Sequence, residues 1–144
     1  MTKWLIANTV NVEGGKIEYF IPEKPLLHAC CNIDHFGDVN IDIRPEVKPD
    51  KVCDITKKLP FPDNSFAAAF ADFPWVTAWR WKAARAIKEM LRVAPIVYTI
   101  CPWLYGARTC YPETINISWR PGINHPILFV KYVRRETVQT KGIS

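Results

Sequence analysis

Asp72-Phe73-Pro74-Trp75 places an acid, a proline and two aromatic rings directly after a run of small apolar residues that begins at Phe66. The run carries no helical cap. It is bounded by the turn signal Asp63-Asn64-Ser65 and by Pro74, which predicts a short strand buried on both faces. Asp72 then falls where that strand ends, at the carboxyl edge of a sheet, where open α/β folds keep their ligands. Pro74 cannot continue a ladder and biases Phe73 to an extended conformation. A carboxylate, backbone carbonyls without ladder partners and an indole are thereby brought to one edge. Asp42 and Asp54 end two further β-rich runs and Cys30-Cys31 ends another, giving a row of polar strand ends. A carboxylate after a second strand can accept from both hydroxyls of a nucleoside ribose, and one a strand further out can accept from an adenine amino group. Strand ends also carry Asp simply as a turn former, and the spacing by itself leaves both readings open.

The elements that must position these groups follow from the punctuation of the chain. Trp4 to Val12 and Lys16 to Ile21 are β-rich runs joined through Glu13-Gly14-Gly15, a hairpin by turn chemistry. Leu26 to Cys31 is a short buried strand, Val39 to Ile43 alternates and is closed by Arg44-Pro45, and Lys51 to Ile55 is another strand. Leu59-Pro60-Phe61-Pro62-Asp63-Asn64 is a rigid loop leading into the Phe66 to Ala71 strand. Trp79 to Val93 is the one convincing helix, with Trp79, Ala83, Ala86, Ile87, Met90 and Leu91 on one face. Ala94-Pro95 stops it. Ile96 to Ile100 is a buried strand, and Ile115 to Trp119 with Ile127 to Val133 forms a late pair around Pro121-Gly122. This order describes an α/β domain with a mixed sheet. A parallel crossover normally needs a dozen or more residues and a helix, yet Cys31 to Val39 and Arg44 to Asp50 have no room for one. Bare-loop crossovers would leave one face of the sheet poorly covered, a face that a partner subunit could cover.

At 144 residues the chain is expected to be one domain with a single core. About half of it is apolar, but no charge-free run approaches the roughly 18 residues of a membrane span. The N-terminus lacks a secretory signal pattern. Five cysteines, two of them adjacent, suit neither a disulfide framework nor a zinc ribbon. A reduced, cytoplasmic protein is expected. The net charge of +5 and the pI near 9 permit an anionic partner such as nucleic acid without demanding one. Twelve prolines and a single glutamine, Gln139, hint at heat adaptation.

From Leu26 to Trp103 the sequence resembles a known family. Leu26-Leu27-His28-Ala29-Cys30-Cys31-Asn32 through Gly37-Asp38-Val39-Asn40-Ile41-Asp42-Ile43 looks like the opening of class I S-adenosylmethionine-dependent methyltransferases. Cys53-Asp54-Ile55 and Leu59-Pro60-Phe61-Pro62-Asp63-Asn64-Ser65-Phe66 are similar to the next two blocks, the second being the most specific. Asp72-Phe73-Pro74-Trp75 resembles the (Asp/Asn)-Pro-Pro-aromatic motif of members that methylate amino nitrogens, with Phe73 in place of the first proline. Ile87 to Val93 and Ile96-Val97-Tyr98 are like the helix and strand that follow. Cys30, Asn32 and Asp34 stand where glycines are usual, and His28 where an acid is frequent. The resemblance is therefore to small members with a shortened first loop, in which Gly37-Asp38 leads directly to the second strand.

The resemblance implies a reduced Rossmann-like methyltransferase sheet, mostly parallel, with a C-terminal antiparallel pair and the N-terminal hairpin. It divides the single domain 1–144 into a hairpin (1–22), a cofactor and acceptor core (26–103) and a strand pair (109–134). It implies S-adenosylmethionine as cofactor, with His28, Cys30, Cys31, Asn32 and Gly37 toward its methionine part, Asp42 and Ile43 at the ribose, and Asp54 and Ile55 at the adenine. Asp72, Phe73, Pro74 and Trp75 would hold an acceptor amino group, most simply that of a nucleobase in DNA or RNA. The alternatives are a small amine or protein side chain as acceptor, or a fold of this type kept only as a binding scaffold. With no room for a separate recognition domain, specificity falls to oligomerisation, a recognition partner or unpaired substrate.

Three further groupings complete the reading. His28, Cys30, Cys31, His35 and Cys53 match no structural zinc spacing, and no metal is assigned. Trp81, Arg85, Lys88 and Arg92 recur at helical spacing opposite the apolar stripe, a solvated basic face or a phosphate track. Trp79, Arg80 and Trp103 follow strand ends on the same side as Trp75, which suggests a stacking platform beside a cationic patch.

Overall fold

The computed structural model describes residues 21–105, 108–118, 122 and 124–135. The expected hairpin, but for Ile21 and Pro22, and the tail from Gln139 lie outside them. Seven strands form one sheet in the order β3-β2-β1-β4-β5-β7-β6. They are β1 (Leu26–Ala29), β2 (Val39–Asp42), β3 (Lys51–Val52), β4 (Ala68–Asp72), β5 (Ile96–Cys101), β6 (Cys110–Ser118) and β7 (Ile127–Arg134), with one helix, α1 (Trp79–Val93), between β4 and β5. Strands β1 to β5 run parallel, and β7 pairs antiparallel with both β5 and β6. This is a mostly parallel, Rossmann-like sheet with a C-terminal antiparallel pair.

Helix α1 has the bounds its periodicity predicts. Ala83, Ala86, Ile87, Met90, Leu91 and Val93 are buried. They share a core with Leu27, Ala29, Ile41, Ala69, Ala71, Val97, Val130 and Tyr132 of the sheet, and each large aliphatic among them contributes roughly 1.5–3 kcal/mol. The helix ends because Pro95 forces Ala94 extended (φ −149°). Arg134 then donates from its guanidinium to the carbonyl of Leu91 and to Asn64 Oδ1, satisfying the last turn.

The two early crossovers are bare loops, as the spacing requires: Cys30 to Asp38 has no helix, and Ile43 to Asp50 has only a 3-10 turn at Pro45–Val47. The face opposite α1 is nevertheless not bare. Leu26, Ala68, Phe70, Tyr98, Ile100, Ile127 and Phe129 form a second buried cluster with Ile21 packed on it. The Tyr98 hydroxyl donates to Glu23 at 2.7 Å, and the His28 and Phe36 rings stack 3.8 Å apart over Phe70.

Four strand bounds differ from expectation by two residues or more. β1 stops at Ala29 because Cys30 and Asn32 take positive φ (50° and 51°). β3 is two residues long because the Asp54 carboxylate accepts from the Thr56 amide (2.9 Å) and hydroxyl (2.6 Å), turning the chain before Ile55. β4 begins at Ala68, since the Phe66 amide goes to the carbonyl of Val93 and that of Ala67 to Pro25. β6 starts five residues before Ile115, tolerating Pro112 by a register shift on an edge strand. Among the described residues no helix is long and apolar enough to cross a membrane.

Candidate functional site

The chain runs outward from β1 to β3, then returns to β4 on the other side of β1. The carboxyl ends of β1 and β4 therefore flank a topological switch point, the place where such sheets bind ligands. A cleft of about 720 Å³ opens there, within the range of small-molecule and cofactor sites.

Each wall comes from a strand end. His28, Cys30, Cys31 and Asn32 follow β1, Asp42 and Ile43 end β2, and Asp54 and Ile55 follow β3. Asp72, Phe73, Pro74 and Trp75 end β4, and Trp79 opens α1. The cleft thus gathers most of the residues singled out from sequence. Gly37 lies behind the wall: a Cβ there would sit 2.7 Å from His28 Cβ and 2.9 Å from the Val39 carbonyl oxygen. Its Cα is closely packed against β1 and β2. Arg80 is exposed on α1, and Trp103 packs against the core, its carbonyl facing Cys101 Sγ at 3.3 Å. Neither lines the cleft, so the expected platform reduces to Trp75 and Trp79.

The turn after β1 keeps a left-handed backbone at Cys30 and Asn32, two of the positions where the resembled family has glycine. Asn tolerates that region, but at Cys30 it costs about 1–2 kcal/mol. The backbone shape persists without the residue type that makes it easy.

Asp42 is buried, and all its acceptor capacity is engaged. Oδ2 accepts from the Asn32 amide (3.0 Å) and Arg44 Nη2 (3.2 Å), and Oδ1 from the Arg44 amide (3.0 Å) and Nε (3.1 Å). Burial raises the pKa of this carboxyl, but the bonds from Arg44 and Asn32 outweigh it and hold it below the usual carboxylate range. It is therefore an anion at neutral pH. The Arg44 side chain is half-exposed and lines the same cleft. Sequence reading missed it, although an arginine two residues after a strand-end acid can fold back on that acid.

His28 is buried with Nδ1 unpartnered among the described residues, and desolvation lowers its pKa to about 4. Burial pushes the Cys30 thiol up to about 12, with the charges of Asp42 and Asp72 adding to it. Neither is a thiolate or imidazolium at neutral pH. Bonds from the Thr56 hydroxyl and amide lower Asp54.

At the opposite end Asp72 is exposed as the last residue of β4, in register with Ile100. The Phe73 ring is buried and stacks on Trp79 at 5.6 Å and 19°. Trp75 is 36% exposed at the mouth, and His125, a residue to which the sequence assigns no role, meets it edge-on at 5.9 Å. Asp34, Phe36, Cys53 and Phe70 also line the cleft unforeseen. Among the described residues no cluster of His, Cys, Asp or Glu could hold a metal ion.

No protein-family model and no curated protein matches the chain. Solved structures do match in fold. The PH0226 protein of Pyrococcus horikoshii is 16% identical, with 76% of this chain covering 81% of that one at a TM-score of 0.50. A SAM-dependent methyltransferase of Aquifex aeolicus is 15% identical, with 75% covering 81% at 0.40. The likeness to the first of these is one of fold alone, a Rossmann-like α/β sheet.

Proposed function

We propose that the protein is a S-adenosylmethionine-dependent methyltransferase, cytoplasmic, acting on an amino nitrogen of a nucleobase in DNA or RNA. The reading rests on one observation: the Asp72-Phe73-Pro74-Trp75 segment and the two strand-end acids Asp42 and Asp54 share one cleft. The residues fit the cofactor. The cleft is large enough, two carboxylates a strand apart can accept from ribose and adenine, and the Arg44 side chain covering Asp42 reaches water and can swing aside.

When bound, S-adenosylmethionine supplies a methyl group activated by its sulfonium. The chain's own task is the acceptor. An amino group on an aromatic ring is a poor nucleophile because its lone pair is delocalised. The Asp72 carboxylate and a backbone carbonyl of the Phe73-Pro74 segment would accept its two hydrogens and localise that pair toward the methyl carbon. Stacking of the flat base on Trp75 is worth about 1–3 kcal/mol, and the remaining contribution is positioning. A base inside a duplex would have to be flipped out to reach the cleft.

The test is calorimetric titration with the cofactor, followed by labelled cofactor incubated separately with nucleic acid, protein and small-molecule pools. Label is expected in nucleic acid, with transfer by Asp72→Ala reduced at least about 100-fold at unchanged cofactor affinity. No heat and no thermal shift at millimolar cofactor would discard the enzyme. A second reading, a binding scaffold of this fold without catalysis, is favoured by the complete occupation of Asp42 by Arg44 and backbone amides. It requires ligand binding indifferent to cofactor and to Asp72→Ala.

A further inference from the structure

Helix α1 turns a strongly one-signed face to water. Arg80, Trp81, Lys82, Arg85 and Lys88 are all exposed. Its single acid, Glu89, is turned inward and paired with Arg92 at 2.6 Å. Arg92 leaves the basic stripe altogether, because its guanidinium is taken by Glu89, Asp63 and the carbonyls of Leu59 and Phe61. None of the other four cations forms an ion pair among the described residues.

The arrangement works against the helix. Its first turn has no side-chain cap and no acid, while Arg80 and Lys82 oppose the macrodipole. Lys82, Arg85 and Lys88 repel one another at successive i, i+3 positions. Trp81 stands 78% exposed in their midst, four and seven residues from Arg85 and Lys88. An anion lying along this face would relieve the repulsion and the uncapped turn, and a flat ring would cover the indole. The face is continuous with the cleft, since Lys82 Nζ lies 5.8 Å from the ring of Trp79, which lines it.

We infer that the outer face of α1, built from Trp81, Lys82, Arg85 and Lys88, is the docking surface for a single-stranded nucleic acid whose target base enters the cleft past Trp79. This deepens the proposed function and rests on its nucleobase acceptor. The cations neutralise phosphates, and Trp81 offers a stacking face that only an unpaired base can use. An anionic membrane fits less well. The apolar residues of α1 are turned into the sheet, leaving Trp81 alone to insert.

The experiment is fluorescence anisotropy of labelled single-stranded DNA and RNA oligonucleotides of about 12 nucleotides, without cofactor, over a salt series. Arg85→Glu with Lys88→Glu is expected to weaken binding at least tenfold and to flatten the slope of log affinity against log salt by about 1.4, since each lost contact removes about 0.7. Trp81→Ala is expected to weaken it about 5- to 150-fold, while Trp81→Phe retains most of it. Lys48→Glu, on the β2–β3 connection, reverses a charge away from the face and should have little effect. If the double variant fails to fold, Lys88→Gln alone must show the same direction with half the change in slope. The inference is overturned if the face variants bind like Lys48→Glu, if the unmodified chain binds neither oligonucleotide at low salt, or if it binds phosphatidylserine vesicles through Trp81 instead. Loss of oligonucleotide binding with cofactor binding intact removes this surface alone. Absent cofactor binding with oligonucleotide binding intact removes the methyltransferase reading alone.

Discussion

The β1–β2 and β3–β4 connections both cross between parallel strands without a helix, and they are sealed in opposite ways. The first, Cys30 to Asp38, closes on itself and its own strands. The Asp38 carboxylate accepts the Leu26 amide at 2.7 Å, Asn40 Oδ1 accepts that of Gly37 at 2.8 Å, and Asp42 accepts that of Asn32 at 3.0 Å. The second, Cys53 to Ala67, is held from outside by α1. Glu89 accepts the Leu59 amide at 2.6 Å, and Arg92 donates to the carbonyls of Leu59 (3.1 Å) and Phe61 (2.9 Å) and to Asp63 (2.8 Å). A helix-free crossover is viable when side chains satisfy the loop's backbone groups. Location then decides the consequence. Among the satisfiers of the first loop, Asp42 stands in the cleft wall, where a ligand would have to displace its bonds. From Leu59 onward those of the second, Glu89 and Arg92, stand on the helix and do not line the cleft.

Substitutions can break or sharpen that contrast. Gly37→Ala drives a methyl into His28 Cβ and two backbone atoms. It should lower stability by about 3 kcal/mol, near the upper end for overpacking, read from the urea midpoint, and weaken cofactor binding as the wall shifts. A loss under 1 kcal/mol would mean that the wall yields. Arg92→Ala should cost roughly 2–3 kcal/mol, less than for a fully buried pair because Arg92 and Glu89 keep some exposure. Calorimetry should find cofactor affinity unchanged within about twofold; a larger change would show that the Leu59–Asp63 segment is coupled to the Cys53–Ile55 wall of the cleft.

His28 supplies a pH test of the first loop. Its folded pKa lies near 4, below the ordinary 6.5, so the unfolded chain binds the proton more readily. The stability it contributes is complete above about pH 6.5 and is lost as pH falls toward 4. Between pH 7 and 4.5 the loss should be about 2 kcal/mol, measured as the difference between the unmodified chain and His28→Phe. Parallel profiles for the two would contradict the buried neutral ring. The smallest stability effect is expected for Arg44→Ala, because the guanidinium is half-exposed and an ion pair open to water contributes little. Cofactor affinity should then rise several-fold as Asp42 is released, and an unchanged or weaker affinity would show that Arg44 is no competitor.

The contrast also explains what was legible beforehand. The body of α1 is written in its apolar period and its end in Ala94-Pro95, and the strands around Leu27, Ile41, Val97 and Val130 show as apolar runs cut by proline. The row of acids at Asp42, Asp54 and Asp72 follows from where those runs stop. The Asp54–Thr56 turn that shortens β3 was present as an Asx signal. Hidden were the contacts that depend on three-dimensional register. Glu89 and Arg92 reach Leu59 and Phe61 across some thirty residues. The family-like block Leu59 to Phe66 thus proves to be the segment locked onto the helix. The close packing of Gly37 against His28 and Val39 was equally hidden. His125, just before β7, meets Trp75 without any motif that announces it.

The alanines of β4 have a consequence of their own. Ala69 and Ala71, fully buried, share a core with Ala83 and Ala86 of the helix. These four methyl groups act as the spacer between sheet and helix, and the rigid body they gauge begins with Trp79, whose ring rests on Phe73. One added methylene at Ala71 would be transmitted along α1 as a widening of the aperture between Asp72 and the indole. Four of the smallest side chains in the core therefore set the tolerance of the cleft.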